Sequence, residues 1–144
     1  MMKVFEITNL GLMSYFLGIE IKQKENEVFI SQNKYAKEIL KKFQMEDCKA
    51  VNTPMNQKEK LCKEDGSGKV DEAFYRISIC CLMYLTTTRP DILYAVSVLS
   101  RFMHCASELH LEITKIMVRY VKRTITYGAF FQKSSRFQII WILW

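Results

Sequence analysis

The sequence predicts an α+β fold that is mainly helical: a β-hairpin, a four-helix body and a short C-terminal strand. Three observations carry this. Ile19 and Ile21 alternate with Glu20 and Lys22, the period-2 pattern of a half-buried strand. Between residues 33 and 123, four stretches repeat apolar side chains at three- and four-residue spacing, as amphipathic helices do. After Gly128 the helical pattern stops, and residues 129–132 and 137–144 are extended in type.

Taken in order, residues 1–9 read as the end of a helix, punctuated by Leu10-Gly11, and residues 12–22 as one strand. Polar residues 24–27 supply a turn, and residues 28–30 return as the second strand. Ser31 or Asn33 is the expected cap of a helix over 33–44, because a short polar side chain can accept an orphan backbone N–H there. Tyr35, Ile39, Leu40 and Phe43 form its apolar side, with Lys34, Lys37 and Lys41 opposite. Residues 46–70 break the pattern: Pro54 forces Thr53 out of helical conformation, and Asp65-Gly66-Ser67-Gly68 is turn chemistry, so a loose connecting segment is expected. A helix over 71–86 should turn Ala73, Phe74, Ile77, Cys81, Tyr84 and Leu85 inward, and three threonines end it. Pro90 suits the first position of a helix over 90–103, and Asp91 its positive end. Ile92, Ala95, Val96, Leu99 and Met103 make its stripe. Ser107 caps the last helix, 108–123, where Ile113, Ile116, Met117, Tyr120 and Val121 face inward and Lys115, Arg119, Lys122 and Arg123 lie on the other side.

The bulk composition narrows the classes. Hydrophobic residues at 49% allow a sizeable core, and a net charge of +6 favours a polyanionic partner. The longest apolar run, 139–144, is far too short to span a bilayer. The five cysteines are odd in number and irregular in spacing, with no apolar leader before them. Free thiols and an intracellular setting, cytoplasmic or nuclear, are expected.

Several blocks, as they stand in this sequence, resemble the copia-type LTR retrotransposon Pol polyprotein of plants. They are Leu10-Gly11-Leu12-Met13-Ser14-Tyr15-Phe16-Leu17-Gly18-Ile19-Glu20-Ile21, Ile30-Ser31-Gln32, Tyr35-Ala36-Lys37-Glu38-Ile39-Leu40, Asn52-Thr53-Pro54-Met55, Tyr75-Arg76, Leu82-Met83-Tyr84-Leu85-Thr86, Thr88-Arg89-Pro90-Asp91-Ile92 and Arg119-Tyr120-Val121-Lys122. Their order and spacing match the family from about residue 3 to 131. The resemblance implies three parts: 1–32 as the end of a reverse transcriptase palm with its primer-grip hairpin, 33–127 as a helical, thumb-like body and connection, and 128–144 as the opening of a ribonuclease H-like strand, cut short. The family's palm holds its magnesium ions on paired aspartates, and this sequence contains no Asp-Asp pair. No catalytic residue, metal ligand or cofactor is therefore assigned, and polymerisation by this chain alone is not expected. Cys80, Lys122-Arg123-Thr124 and the wholly apolar residues 139–144 depart from the family pattern. A frameshift or premature stop in a decayed element accounts for the last of these most simply.

The residues themselves support binding more than chemistry. Asp47, Asp65, Asp71 and Asp91 are scattered at loops and helix starts, as caps and solubilising charges are. Cys80 and Cys81 would point about 100° apart on a helix, and His104, Cys105 and His110 lack paired ligand spacing. The basic faces remain: Lys34, Lys37 and Lys41 on one helix, and Lys115, Arg119, Lys122 and Arg123 on another. Such cations displace counterions from phosphates, although a lysine-rich helix face also serves simply as a solvated face. In the hairpin, Phe16-Leu17-Gly18 would set backbone against a primer terminus, with Gly allowing close approach, or would pack like any strand. The expected partners are an RNA or DNA primer–template and a palm-containing polyprotein fragment, with no membrane. A transposon relic without selected activity and a helical protein-interaction module stay open as alternatives.

Overall fold

The computed structural model describes residues 13–56 and 58–132, so the predicted helix over 1–9 and strand over 137–144 lie outside the described residues. Strands β1 (Tyr15–Phe16), β2 (Ile19–Lys24) and β3 (Glu27–Ser31) lead into helix α1 (Asn33–Lys42). After a long connection come α2 (Glu72–Leu85), a 3-10 turn (Pro90–Ile92) continuing into α3 (Leu93–Ser100), α4 (Glu108–Arg123) and β4 (Gly128–Gln132). The expected α+β, mainly helical class is what is found. The strands form one antiparallel sheet in the order β1-β2-β3-β4.

The stretch expected as a single strand over 12–22 is two strands joined by a tight turn. Phe16 pairs with Ile19, leaving Leu17 and Gly18 as a two-residue loop with φ of 48° and 81°. Positive φ at both loop residues matches the twist of the flanking strands, and Gly18 supplies one of them without strain. The alternation that marks β2 hid the reversal.

Neither Ser31 nor Asn33 caps α1. Gln32 holds the cap position without a side-chain cap bond, and the Lys34 N–H donates to the Glu20 carboxylate at 3.1 Å. A negative charge from β2 thus sits on the positive end of α1 and docks the hairpin. The C-terminal end closes with Gln44 at φ 53°, the Gln44 N–H on the Lys41 carbonyl and the Met45 N–H on the Leu40 carbonyl. That is the Schellman arrangement, ending the helix two residues before the expected boundary.

Helix α2 is capped as expected, Asp71 accepting from the Ala73 and Phe74 N–H groups. Its inward face agrees with the expected one at Leu85 and, in part, at Cys81, and differs at the other positions. Tyr75, Ser78, Ile79, Leu82 and Leu85 are buried, while Phe74, Ile77, Met83 and Tyr84 are exposed. The helix is apolar on both sides, so two stripes satisfy the same spacing and tertiary partners choose between them. One such partner is the Leu99 carbonyl, which accepts from the Tyr75 hydroxyl at 2.8 Å inside the core. The stripes of α3 and α4 are largely as expected. Ile92, Ala95, Val96, Leu99, Ile113, Met117 and Val121 are buried with α2's stripe in one cluster, whereas Met103 and Ile116 are only partly covered. Each such Val, Leu or Ile contributes about 1.5–3 kcal/mol by leaving water.

The 46–70 connection is held rather than loose. Val51, Met55, Leu61 and Val70 pack on the core. Asp65 accepts from the Ser67 N–H (2.8 Å), the Ser67 hydroxyl and the Ser107 hydroxyl (both 2.5 Å). These bonds keep its carboxyl low, at about 2. Ser107 caps α4 in a reciprocal box: the His110 N–H faces its hydroxyl, and the Ser107 N–H donates to His110 Nδ1 at 3.0 Å. Accepting at Nδ1 makes the imidazole neutral with its proton on Nε2, which has no hydrogen-bond partner among the described residues. The ring is fully buried, stacked on Phe102 at 4.1 Å. Burial holds its pKa below the ordinary 6.5, against the pull of Asp65.

Thr88-Arg89-Pro90-Asp91, between α2 and α3, is bonded to Gln32, between β3 and α1, and to the end of α4. Thr88 donates to the Gln32 side-chain oxygen at 2.8 Å. Arg89 is 1% exposed and makes a two-pronged ion pair with Asp91, Nε to Oδ1 at 2.9 Å and Nη2 to Oδ2 at 2.7 Å. It also donates to the Thr124 carbonyl (3.0 Å) and hydroxyl (2.5 Å) at the end of α4. The Tyr120 hydroxyl donates to Asp91 at 2.9 Å, and the Tyr120 and Tyr127 rings lie 5.8 and 5.3 Å from the guanidinium. Burial, and then the Asp91 carboxylate, push the Tyr120 hydroxyl up to about 12. Asp91 is thus the partly covered ion-pair partner of a buried arginine, beyond the helix-end role expected of it.

Two stability outcomes are expected. Arg89→Met leaves the largely covered Asp91 carboxylate, 10% exposed, with the Tyr120 hydroxyl but without its ion-pair partner, and should lower the unfolding free energy by about 3 kcal/mol in urea titrations; a loss below about 1 kcal/mol would show the pair to be incidental. For His110, the folded pKa lies below the unfolded one, so the unfolded chain takes the proton first. The stabilisation is complete above pH 6.5 and drains as the pH falls toward the folded value. Wild type should therefore lose stability as the pH falls below about 6.5, and His110→Gln should be less stable above that pH but flatter below it; equal slopes would count against a buried neutral imidazole.

Candidate nucleic-acid interface

The hairpin tip is the most exposed apolar feature of the sheet. Tyr15 and Phe16 are each 52% exposed and Leu17 is 70% exposed. The tip is nonetheless anchored: the Tyr84 hydroxyl of α2 donates to the Leu17 carbonyl, and a Cβ on Gly18 would meet that hydroxyl at 3.4 Å. Tyr84 is itself braced edge-on by Tyr35 at 4.9 Å. The turn is presented outward on a fixed base.

Of the two predicted basic faces, α1's joins the hairpin. Lys34 Nζ lies 5.2 Å from the centre of the Tyr15 ring, and Tyr15 pairs with Glu20, whose carboxylate takes the Lys34 N–H. Phe16, Leu17, Gly18 and Lys34 therefore form one surface, and Lys37 and Lys41 continue it as exposed cations along α1. The α4 set divides. Lys115 and Arg123 are exposed. Arg119 donates to the Lys49 carbonyl at 2.5 Å and Lys122 to the Cys48 carbonyl at 2.7 Å, so these two strap the connection onto α4. Lysine spacing on a helix carries no sign that a distant loop's carbonyls will fold over two of its members.

The carboxylates do not assemble for metal chemistry. Asp65 is bound to Ser67 and Ser107, Asp71 caps α2 and Asp91 pairs with Arg89. Among the described residues no group of three or more His, Cys, Asp or Glu is placed to hold an ion. Among the described residues no donor set fits the magnesium that the resemblance implies. None of the five cysteines is in a disulfide, and among the described residues no helix is long and apolar enough to cross a membrane.

A second feature carries no signal in the sequence. On one sheet face Lys22, Phe29 and Phe130 stand in a row across β2, β3 and β4. They line a cleft of about 520 Å³ with Lys24, Glu27, Asn33 and Thr126. Phe29 and Phe130 are far apart along the chain, and only the β3–β4 pairing joins them.

The family model for reverse transcriptase (RNA-dependent DNA polymerase) matches residues 1–57. An uncharacterized mitochondrial protein of Arabidopsis thaliana is 39% identical over 136 residues, which is 94% of this chain and 56% of that protein. The retrovirus-related Pol polyprotein from transposon RE1 of the same plant is 38% identical over 131 residues, 91% of this chain and 9% of the polyprotein. The Pol polyprotein from transposon TNT 1-94 of Nicotiana tabacum is 33% identical over 85% of this chain and 10% of its own length. The chain thus spans just over half of the first relative and a tenth or less of the two polyproteins. No solved structure matches it. Over most of its length the chain is thus similar to a reverse transcriptase-like stretch of copia-type retrotransposon Pol polyproteins.

Proposed function

We propose that this chain is the primer–template-holding part of a copia-type reverse transcriptase and supplies none of the carboxylates that would carry its metal ions. In this reading residues 1–32 end the palm and carry the primer grip, residues 33–127 form the thumb and connection, and residues 128–144 open a ribonuclease H-like domain. The observation that carries it is the single surface made by the hairpin tip and α1: an outward turn fixed by Tyr84, with Lys34 beside it and Lys37 and Lys41 beyond. The turn offers backbone to a strand terminus, and the lysines offer charge to successive phosphates. Release of counterions from those phosphates would drive binding. Lys115 and Arg123 add charge on α4, while Arg119 and Lys122 act through the connection they hold.

A protein partner is the second reading, favoured by the exposed apolar side of α2, where Phe74, Ile77, Met83 and Tyr84 are each 40–48% exposed. A chain carrying the palm would be its natural occupant.

The test is fluorescence anisotropy with a labelled RNA–DNA hybrid across a salt series. Wild type should weaken steeply with salt. Lys34→Gln/Lys37→Gln/Lys41→Gln should bind at least about tenfold more weakly, with a log–log slope smaller by about 0.9 for each phosphate no longer neutralised. Unchanged affinity and slope in the triple variant, or no binding at about 50 mM salt, would overturn the proposal.

A further inference from the structure

The cleft on the sheet has the composition of a site for an unpaired base. Phe29 and Phe130 are cross-strand partners, both half-buried, and Lys22 stands beside Phe29 in the same row. Gly128 lets the Phe29 ring lie close against β4: a Cβ there would lie 2.7 Å from the Phe29 ring and 2.2 Å from the Ile30 carbonyl oxygen, so the ring occupies the space a side chain would take. Lys22 and Lys24, both exposed, edge the cleft, together with the partly covered Glu27. Asn33, at the start of α1, turns a side-chain oxygen into the protein with no hydrogen-bond partner among the described residues, and the same residue lines the cleft. The volume of about 520 Å³ is in the range of small-ligand clefts.

We propose that this cleft binds one unpaired nucleobase of a single-stranded nucleic acid, stacked on Phe29 and Phe130, with the flanking phosphates at Lys22 and Lys24. Charge complementarity selects this occupant. An apolar side chain would satisfy the phenylalanines but leave two lysines at its edge unanswered. A base has a π face for the rings and ring or exocyclic N–H groups for Glu27, and its backbone brings the anions. Stacking tolerates any base, so little sequence preference is expected. The inference goes beyond duplex holding, since a paired base cannot enter the cleft. It uses none of the hairpin-tip or α1 lysines, so the two proposals fail separately.

The test uses the full chain and three probes: a labelled single strand of about twelve nucleotides, the same strand carrying 2-aminopurine, and a blunt duplex. Phe130→Leu keeps an apolar side chain but removes the stacking face. It should weaken single-strand binding roughly tenfold, within the range that base–aromatic stacking contributes, and leave duplex binding unchanged. Lys22→Gln/Lys24→Gln should lower the salt dependence for the single strand alone. 2-Aminopurine fluorescence should be quenched by wild type and not by Phe130→Leu. Circular dichroism melting of each variant separates lost binding from lost folding; should Phe130→Leu fail to fold, Phe29→Tyr with the lysine pair carries the same comparison, Tyr preserving the quench and the double Gln variant weakening binding. Single-strand affinity and quenching that are indifferent to Phe130 and to both lysines would overturn the inference, whatever the duplex does.

Discussion

The buried guanidinium of Arg89 is the constraint on which the rest of the structure depends. A fully covered arginine is tolerable only if its donors are satisfied and its charge is matched, and here Asp91 and Thr124 do both. The consequence is geometric. Arg89 fixes the end of α4 against the α2–α3 junction, just before β4 begins. Its neighbour Thr88 reaches Gln32, at the junction of β3 and α1. One short segment thereby sets both β3 and β4 relative to the helices, and the two strands meet in register. The shared apolar cluster lies among the helices and the connection, with no β1, β2 or β3 side chain in it. The sheet is docked instead by polar bonds: Glu20 to the Lys34 N–H, Tyr84 to the Leu17 carbonyl, Thr88 to Gln32 and Arg89 to Thr124. Polar docking demands correct partners where apolar docking demands only area, and this explains how a small sheet keeps one orientation beside a helical body.

This arrangement also explains what can and cannot be read from the chain. The helices announce themselves through period and caps: Asp71 and Ser107 cap where expected, and the stripes of α3 and α4 are largely the buried ones. Short-range signals suffice because caps and periodicity are local physics. The expectations that fail are those whose deciding partner is remote. The buried side of α2 differs from the expected one at most positions because Tyr75 and Phe74 are equally plausible inward residues until Leu99 offers an acceptor. The charge at the start of α1 comes from Glu20, across a strand turn, and no rule about neighbouring residues would nominate it. The reversal at Leu17-Gly18 is hidden by an apolar run that continues through it, although a glycine between apolar residues is a signal for a turn.

The candidate interface divides the same way. The hairpin and the lysines of α1 are visible as motifs, and the fold sets Lys34 beside the hairpin. The α4 cations are also visible, but two of the four serve the connecting segment, because backbone carbonyls brought close by the chain's path compete with any ligand for Arg119 and Lys122. The Phe29–Phe130 cleft depends on a pairing between strands near opposite ends of the described chain, the kind of neighbourhood that periodicity cannot register. Binding surfaces made of one helix are legible, whereas those made by tertiary pairing are not.

Native-state hydrogen exchange on the intact chain tests the central claim most directly. If the Arg89 junction makes the sheet and the helical body one cooperative unit, the β4 amides that face β3 should open with the same free energy, and the same denaturant dependence, as the core amides of α4 around Met117 and Val121. Ladder amides in β4 that exchange through a separate opening of much lower free energy, while α4 stays protected, would contradict it.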